Sequence, residues 1–131
     1  LILKVVAITL LIEGGRTPFI FYAPLLSRFM VVAQAAFNPY ARESGKAHSQ
    51  VNDGKLRHVL VSLVWVLLSL LLFLPLMWEV ALLFGVALVI TLVIAIRSRI
   101  LLGGVTGDVL GATVELSETL ILVVATLAIL S

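Results

Sequence analysis

Three carboxylates stand out in a stretch otherwise made for lipid. The segment Gly103 to Glu118, GGVTGDVLGATVELSE, puts Asp108, Glu115 and Glu118 on or at the mouth of an apolar helix. At about 100° per residue Asp108 and Glu115 point within about 20° of one direction, and Glu118 falls within about 80° of it. All three acids therefore share one side of the helix. An acid at mid-membrane costs roughly 3 kcal/mol on the insertion scale, so that side should face a cavity, a cation or basic partners.

Carboxylates at a membrane interface suit a divalent ion, because Mg²⁺ takes oxygen ligands and commonly bridges a few carboxylates to substrate phosphates. Asp108, Glu115 and Glu118 are the candidate metal ligands, and Asp108 with Glu115 the candidate catalytic acids. The glycines beside them have their own use. Gly103, Gly104 and Gly107 allow backbone N–H groups close to an anion, and the helix start near Asp108 or Val109 offers its positive dipole end. The structural alternative is that Thr106 or Asp108 caps the helix while the acids pair with Arg97, Arg99 or another helix.

Arg28 is the second outlier, a guanidinium between Ser27 and Phe29 in an apolar run. It could hold a phosphate bidentately or neutralise one of the acids. The loop residues Tyr40 to Gly45 add Arg42 and Glu43 beside a flexible backbone; taken alone they are an ordinary solvated loop. His48 and His58 are not at a zinc spacing from any Cys, Asp or His, which argues against zinc. Trp78 suits a membrane interface and Trp65 is expected to have a packing role. No phosphate-binding P-loop, dinucleotide fingerprint or nucleophile elbow occurs.

The elements that must position these groups follow from composition. Hydrophobic residues make up 62% of the 131 and charged ones 12%, with no cysteine and a mean hydropathy of +1.23. A soluble domain is nearer half apolar and a quarter charged, so the chain is a membrane protein. The lack of cysteine excludes a disulfide scaffold or a thiolate metal site. Charges mark the boundaries. Leu1 to Ile12 is apolar apart from Lys4 but short of the roughly 20 residues a span needs. It reads as the remainder of a span that starts upstream, which makes the chain a C-terminal fragment. A signal sequence is the other reading, and no small-residue cleavage site supports it.

Residues 18–37 form the next span, 38–57 a polar loop with room for a short helix, 58–77 and 80–96 a helical hairpin with a tight turn, and 109–131 the last span. The fold class is all-α, a polytopic transmembrane helix bundle of about four spans plus a partial N-terminal one. Arg42, Lys46, Lys55, Arg57, Arg97 and Arg99 fall on one side under strict alternation, against Arg16 on the other. The positive-inside bias makes loops 38–57 and 97–108 cytoplasmic. The weak basic excess lies in these loops and calls for no nucleic acid.

The run LLGGVTGDVLGATVELSETLIL, Leu101 to Leu122, closely resembles the C-terminal signature of the cobalamin synthase family, the adenosylcobinamide-GDP ribazoletransferases. LILKVVAI at the start, PLLSRFMVV from Pro24 and PYARESG from Pro39 resemble that family's middle segments in the same order. The resemblance covers essentially the whole chain and implies the C-terminal part, residues 1–131, of a single integral-membrane transferase domain. It implies an enzyme late in vitamin B12 assembly that joins adenosylcobinamide-GDP to α-ribazole, or its 5′-phosphate, and releases GMP, with Mg²⁺ as cofactor. A multi-pass location in the bacterial or archaeal inner membrane follows from it. The family's N-terminal half, with an acidic DGxxDxxDG-type motif, has no counterpart here, so the fragment alone is expected to be inactive. After Gly45 the sequence departs from the family's glycine-rich continuation.

In this reading Asp108, with Glu115 or Glu118 behind it, holds Mg²⁺; Arg28 and Arg42 contact phosphate; and Gly104, Thr106 and Gly107 shape the anion-facing loop. Which acid, if any, acts as general base is left open. On physics alone, an ion-coupled transporter using Asp108, Glu115, Glu118 and Arg28 fits the same residues. A non-catalytic scaffold whose acids form ion pairs is the third possibility.

Overall fold

The computed structural model describes residues 1–38, 51–72 and 74–130. Among these every regular element is helical: α1 (Ile2–Glu13), α2 (Pro18–Phe37), α3 (Val51–Leu72), a 3-10 turn (Leu74–Leu76), α4 (Met77–Leu102) and α5 (Gly107–Leu130). The described helices include three long and apolar enough to cross a membrane, Pro18–Phe37, Met77–Leu102 and Gly107–Ala128; Leu56–Leu71 is a shorter apolar helix. Helices are the spanning solution because each satisfies its own backbone groups where no water is present.

Several expected boundaries moved: the third span, expected to reach Met77, ends at Leu72, and Met77 already opens the fourth helix. Arg97 and Arg99 do not end the fourth helix, which runs on to Leu102 and stops where Gly103 turns left-handed at φ 76° and sends its N–H to Arg99 O at 3.1 Å. Long basic side chains extend from a helix without breaking it, whereas an αL residue does break it. The third helix likewise begins at Val51, inside the stretch expected to be loop, because polar residues continue a helix beyond the bilayer readily.

α2 and α5 form the centre, with α1 and α4 on α5, and α3 on α2. Phe19, Tyr22, Ala23, Leu26 and Met30 line the inner face of α2 at helical spacing. Ile121, Leu122 and Ala125 of α5, Leu83 and Ala87 of α4, Leu11 of α1 and Val66 of α3 meet them. Ala23, Ala87 and Ala125 are small enough to let helix backbones approach, the usual basis of packing in lipid, where expulsion from water supplies no drive. Tyr22 Oη donates to Ser69 O at 2.9 Å and so ties α3 to α2.

The expected hairpin of the third and fourth helices is not a packed pair. They follow one another through the 3-10 turn, but α3 lies along α2, and α4 along α5 and α2, with no extended seam between them among the described residues. The outer faces carry Leu60, Val64, Leu67, Leu71, Leu88, Leu92 and Ile96, as a lipid-facing surface requires. Trp65 belongs there as well, 63% exposed.

The two ends of the bundle are fastened by arginines. At one end Arg16 pairs with Glu79, joining the α1–α2 turn to the start of α4. At the other, Arg99 donates from Nε to Asn38 Oδ1 at 2.7 Å and from Nη2 to Phe37 O at 2.9 Å, closing α4 onto the end of α2. These contacts place 14–17 with the start of α4, and Asn38 with the α4–α5 loop, matching the alternation of sides read from the charges.

Gly103 generates a test. A Cβ there would meet nothing within 4 Å, so only backbone conformation opposes a side chain. Gly103→Ala should lower stability by about 1 kcal/mol, and Gly103→Asn by less, in thermal unfolding followed by circular dichroism.

Candidate functional site

The α4–α5 loop is short and held from both sides. Ser98 Oγ, buried in α4, donates to Gly104 O, and Val105 is fully buried, so the loop turns inward before α5 begins. Thr106 Oγ1 then accepts from Val109 N–H at 3.3 Å, while Thr106 O accepts from Leu110 N–H at 3.0 Å. Thr106 is therefore the N-cap of α5. This settles which residue caps the helix: Asp108 sits in the first turn, exposed, with no hydrogen bond or ion pair among the described residues. A carboxylate there is favoured by the positive end of the helix and remains available for a ligand.

The other two acids are engaged. Lys4 Nζ of α1 stands 2.8 Å from Glu115 Oε2 and 2.8 Å from Glu118 Oε2. Ser27 Oγ lies 3.3 Å from Glu118 Oε1 and 3.1 Å from Pro24 O, so one buried hydroxyl serves both acceptors. The side chains of Lys4 and Glu118 are 13% and 18% exposed, that of Glu115 70%. Glu118 thus has a partner on each oxygen, and Glu115 reaches the pair from the rim.

The three acids expected to converge do not do so. Glu115 and Glu118 meet on Lys4, whereas Asp108 lies about two helical turns away from Glu115, roughly 10 Å along the axis. Among the described residues no group of three His, Cys, Asp or Glu side chains gathers as a metal cage would need. Asp108 by itself suits Mg²⁺, which is often held by one or two carboxylates with waters and substrate phosphates completing its shell. Glu115 and Glu118 are each in contact with the Lys4 ammonium.

The basic residues are distributed differently from expectation too. Arg28 faces outward from α2 with no ion pair among the described residues, so it does not neutralise the acids; nor do Arg97 and Arg99. Arg28 also lies nine residues before the end of α2, about 14 Å deeper than the loop of Gly104, Thr106 and Gly107. Arg42 lies outside the described residues. Gly104 is buried and Gly107 exposed, which leaves Gly107 and Asp108 as the open edge of the loop.

Sequence reasoning missed Lys4 as the counter-ion, although a lone ammonium in an apolar run was a signal that it needed a carboxylate. Gln34, buried in α2 with neither amide atom hydrogen-bonded among the described residues, was missed as well.

Comparison with known proteins bears on the same segments. The family model for cobalamin-5-phosphate synthase matches residues 1–126. The chain belongs to that family. Its relatives include the adenosylcobinamide-GDP ribazoletransferases of Chlorobium phaeovibrioides, 39% identical across 98% of this chain and 52% of the relative, and of Pseudomonas paraeruginosa, 37% identical across 94% and 49%. That of Acinetobacter baumannii strain ACICU is 29% identical across 92% and 48%. The chain therefore spans about half the length of these curated relatives. No solved structure matches it. Membership of a synthase family disfavours the ion-coupled transporter, and the structure shows Glu115 and Glu118 engaged with Lys4.

The cap assignment is open to measurement. Thr106→Val should cost about 1 kcal/mol in thermal unfolding and Thr106→Ser very little, whereas Asp108→Asn should leave the melting temperature nearly unchanged.

Proposed function

We propose that this chain forms part of a membrane transferase that joins adenosylcobinamide-GDP to α-ribazole, or to its 5′-phosphate, with release of GMP. The observation that carries the reading is the start of α5: Thr106 caps the helix, which leaves the Asp108 carboxylate exposed and, among the described residues, unpaired next to the N–H groups of the first turn. Backbone donors and a carboxylate side by side are suited to a metal-bound diphosphate.

In the reaction a ribose oxygen of the ribazole bonds to the phosphorus on the cobinamide side, and the bond from that phosphorus to GMP breaks. The attacking hydroxyl loses its proton and GMP leaves as the phosphate monoester. Transfer of this kind depends mainly on positioning and on stabilising charge. Mg²⁺, when bound, would neutralise charge on the diphosphate, with Asp108 as its carboxylate ligand from this chain. The first-turn N–H groups of α5 orient phosphate oxygens, and Gly107 keeps that approach free of side chain. Arg28 is assigned to a different, deeper anionic part of the substrate, and Arg42 to phosphate from the loop. Glu115 and Glu118 are left out of the metal set because Lys4 holds them.

Residues 38–57 and 97–108 face the cytoplasm of a bacterial or archaeal inner membrane in this proposal, where nucleotide substrates are made. The remaining parts of the site come from the half of the protein present in the relatives and not in this chain, so residues 1–131 alone should not turn over.

The test uses the complete reading frame expressed in membranes. GMP release from adenosylcobinamide-GDP plus α-ribazole should require Mg²⁺ and fall about 100-fold or more in Asp108→Asn at unchanged protein level. Full release by Asp108→Asn with the same Mg²⁺ dependence would sink the assignment.

A further inference from the structure

Glu118 lies eleven residues beyond Gly107, about 16 Å along α5 and so near the middle of the span Gly107–Ala128. At that depth one ammonium, that of Lys4, touches two carboxylates at 2.8 Å each, and the second oxygen of Glu118 meets the buried Ser27 hydroxyl. Three helices are joined at this point: α1 through Lys4, α5 through the glutamates, and α2 through Ser27. Further along α5, Thr126 Oγ1 lies 3.5 Å from Ala7 O and 2.8 Å from Leu122 O, so α1 runs parallel to α5 from the ion pair onward.

We propose that Lys4 is the resident cation of an intramembrane lock. Its ammonium fills the position between Glu115 and Glu118 that a divalent ion would otherwise take, and in doing so it fixes α1 against α5 and α2. Two carboxylates within reach of one another in hydrocarbon repel strongly and demand a positive charge between them. A lysine on a neighbouring helix supplies that charge and fixes helix position together. A metal would supply the charge without holding α1. The acids of α5 are thereby divided: the deep pair serves assembly, and Asp108 at the mouth is free for chemistry.

This inference does not depend on the proposed transferase activity, and its test needs no substrate. The complete protein, purified in detergent, is melted with and without added Mg²⁺ as wild type, Lys4→Met, Glu115→Gln/Glu118→Gln and the triple variant Lys4→Met/Glu115→Gln/Glu118→Gln. Lys4→Met should lose roughly 5 to 15 °C in melting temperature, and the triple variant, which leaves no unpaired charge, should regain most of that loss. Mg²⁺ should stabilise Lys4→Met through the uncovered glutamates and give the triple variant no such gain. Should Lys4→Met fail to accumulate, accumulation of the triple variant supports the lock and its failure overturns it. A Lys4→Met protein that melts like wild type overturns it too. So does a wild-type Mg²⁺ shift that disappears in Glu115→Gln/Glu118→Gln, which would make the glutamates metal ligands.

Discussion

A charge carried into hydrocarbon has to be answered there, and much of this structure is arranged around one such answer. Lys4 and Glu118 are largely shielded and touch at 2.8 Å, with Glu115 completing the contact from the more open side. Water is too scarce at that depth to solvate either sign, so the approach of α1 to α5 is set by where the ammonium can reach both carboxylates. α1 is a short helix whose outward residues Leu3, Val5, Val6 and Ile12 are exposed, and its apolar contacts with the core come from Ala7, Leu11 and the half-buried Ile8. Packing of that extent fixes position weakly, and the ion pair with the Thr126 contact fixes it well.

Around this point the bundle is held by means suited to lipid. Close contact in the α2–α4–α5 centre relies on alanines and on the helical spacing of the inner faces, because apolar side chains gain little by leaving one hydrocarbon for another. Polar side chains then act as ties: Tyr22 to α3, Ser98 to the α4–α5 loop, Arg99 to the end of α2 and Arg16 to Glu79. The arginines sit at the two ends, where headgroups and water reach them; the Ser98 hydroxyl lies beside Arg99 at one of these ends, and that of Tyr22 lies inside the bundle. A tie that is buried is thus a neutral one except at Lys4.

The fold class and most of the helices were legible in the sequence because charge and apolar length are local properties. The second helix was bounded at residues 18–37, as observed. The end of the fourth was not, since Arg97 and Arg99 look like a border, while the stop is made by the backbone of Gly103. Which helices pack together was not legible either. Consecutive apolar helices suggest a hairpin, yet α3 settles on α2, a choice made by side-chain fit and by the Tyr22 bond, for which no spacing rule exists. At the site, the shared face of Asp108, Glu115 and Glu118 was correct as helix geometry. Sharing a face says nothing of depth, and Lys4, the partner that sets Glu115 and Glu118 apart from Asp108, is more than a hundred residues away in sequence.

Depth decides what each acid can do. A carboxylate at mid-span keeps its charge only against a permanently held cation, and a side chain anchored in a neighbouring helix is the most permanent kind. Asp108 stands where the first turn of α5 meets the loop, beside N–H groups without intrahelical partners and within reach of water. In the proposed reaction a divalent ion and its phosphate would arrive there, exchange their water and leave, which a mid-membrane pair would resist. The same helix can therefore carry an acid for chemistry and two for assembly, and the capping hydroxyl of Thr106 is the small detail that keeps the first from becoming structural as well.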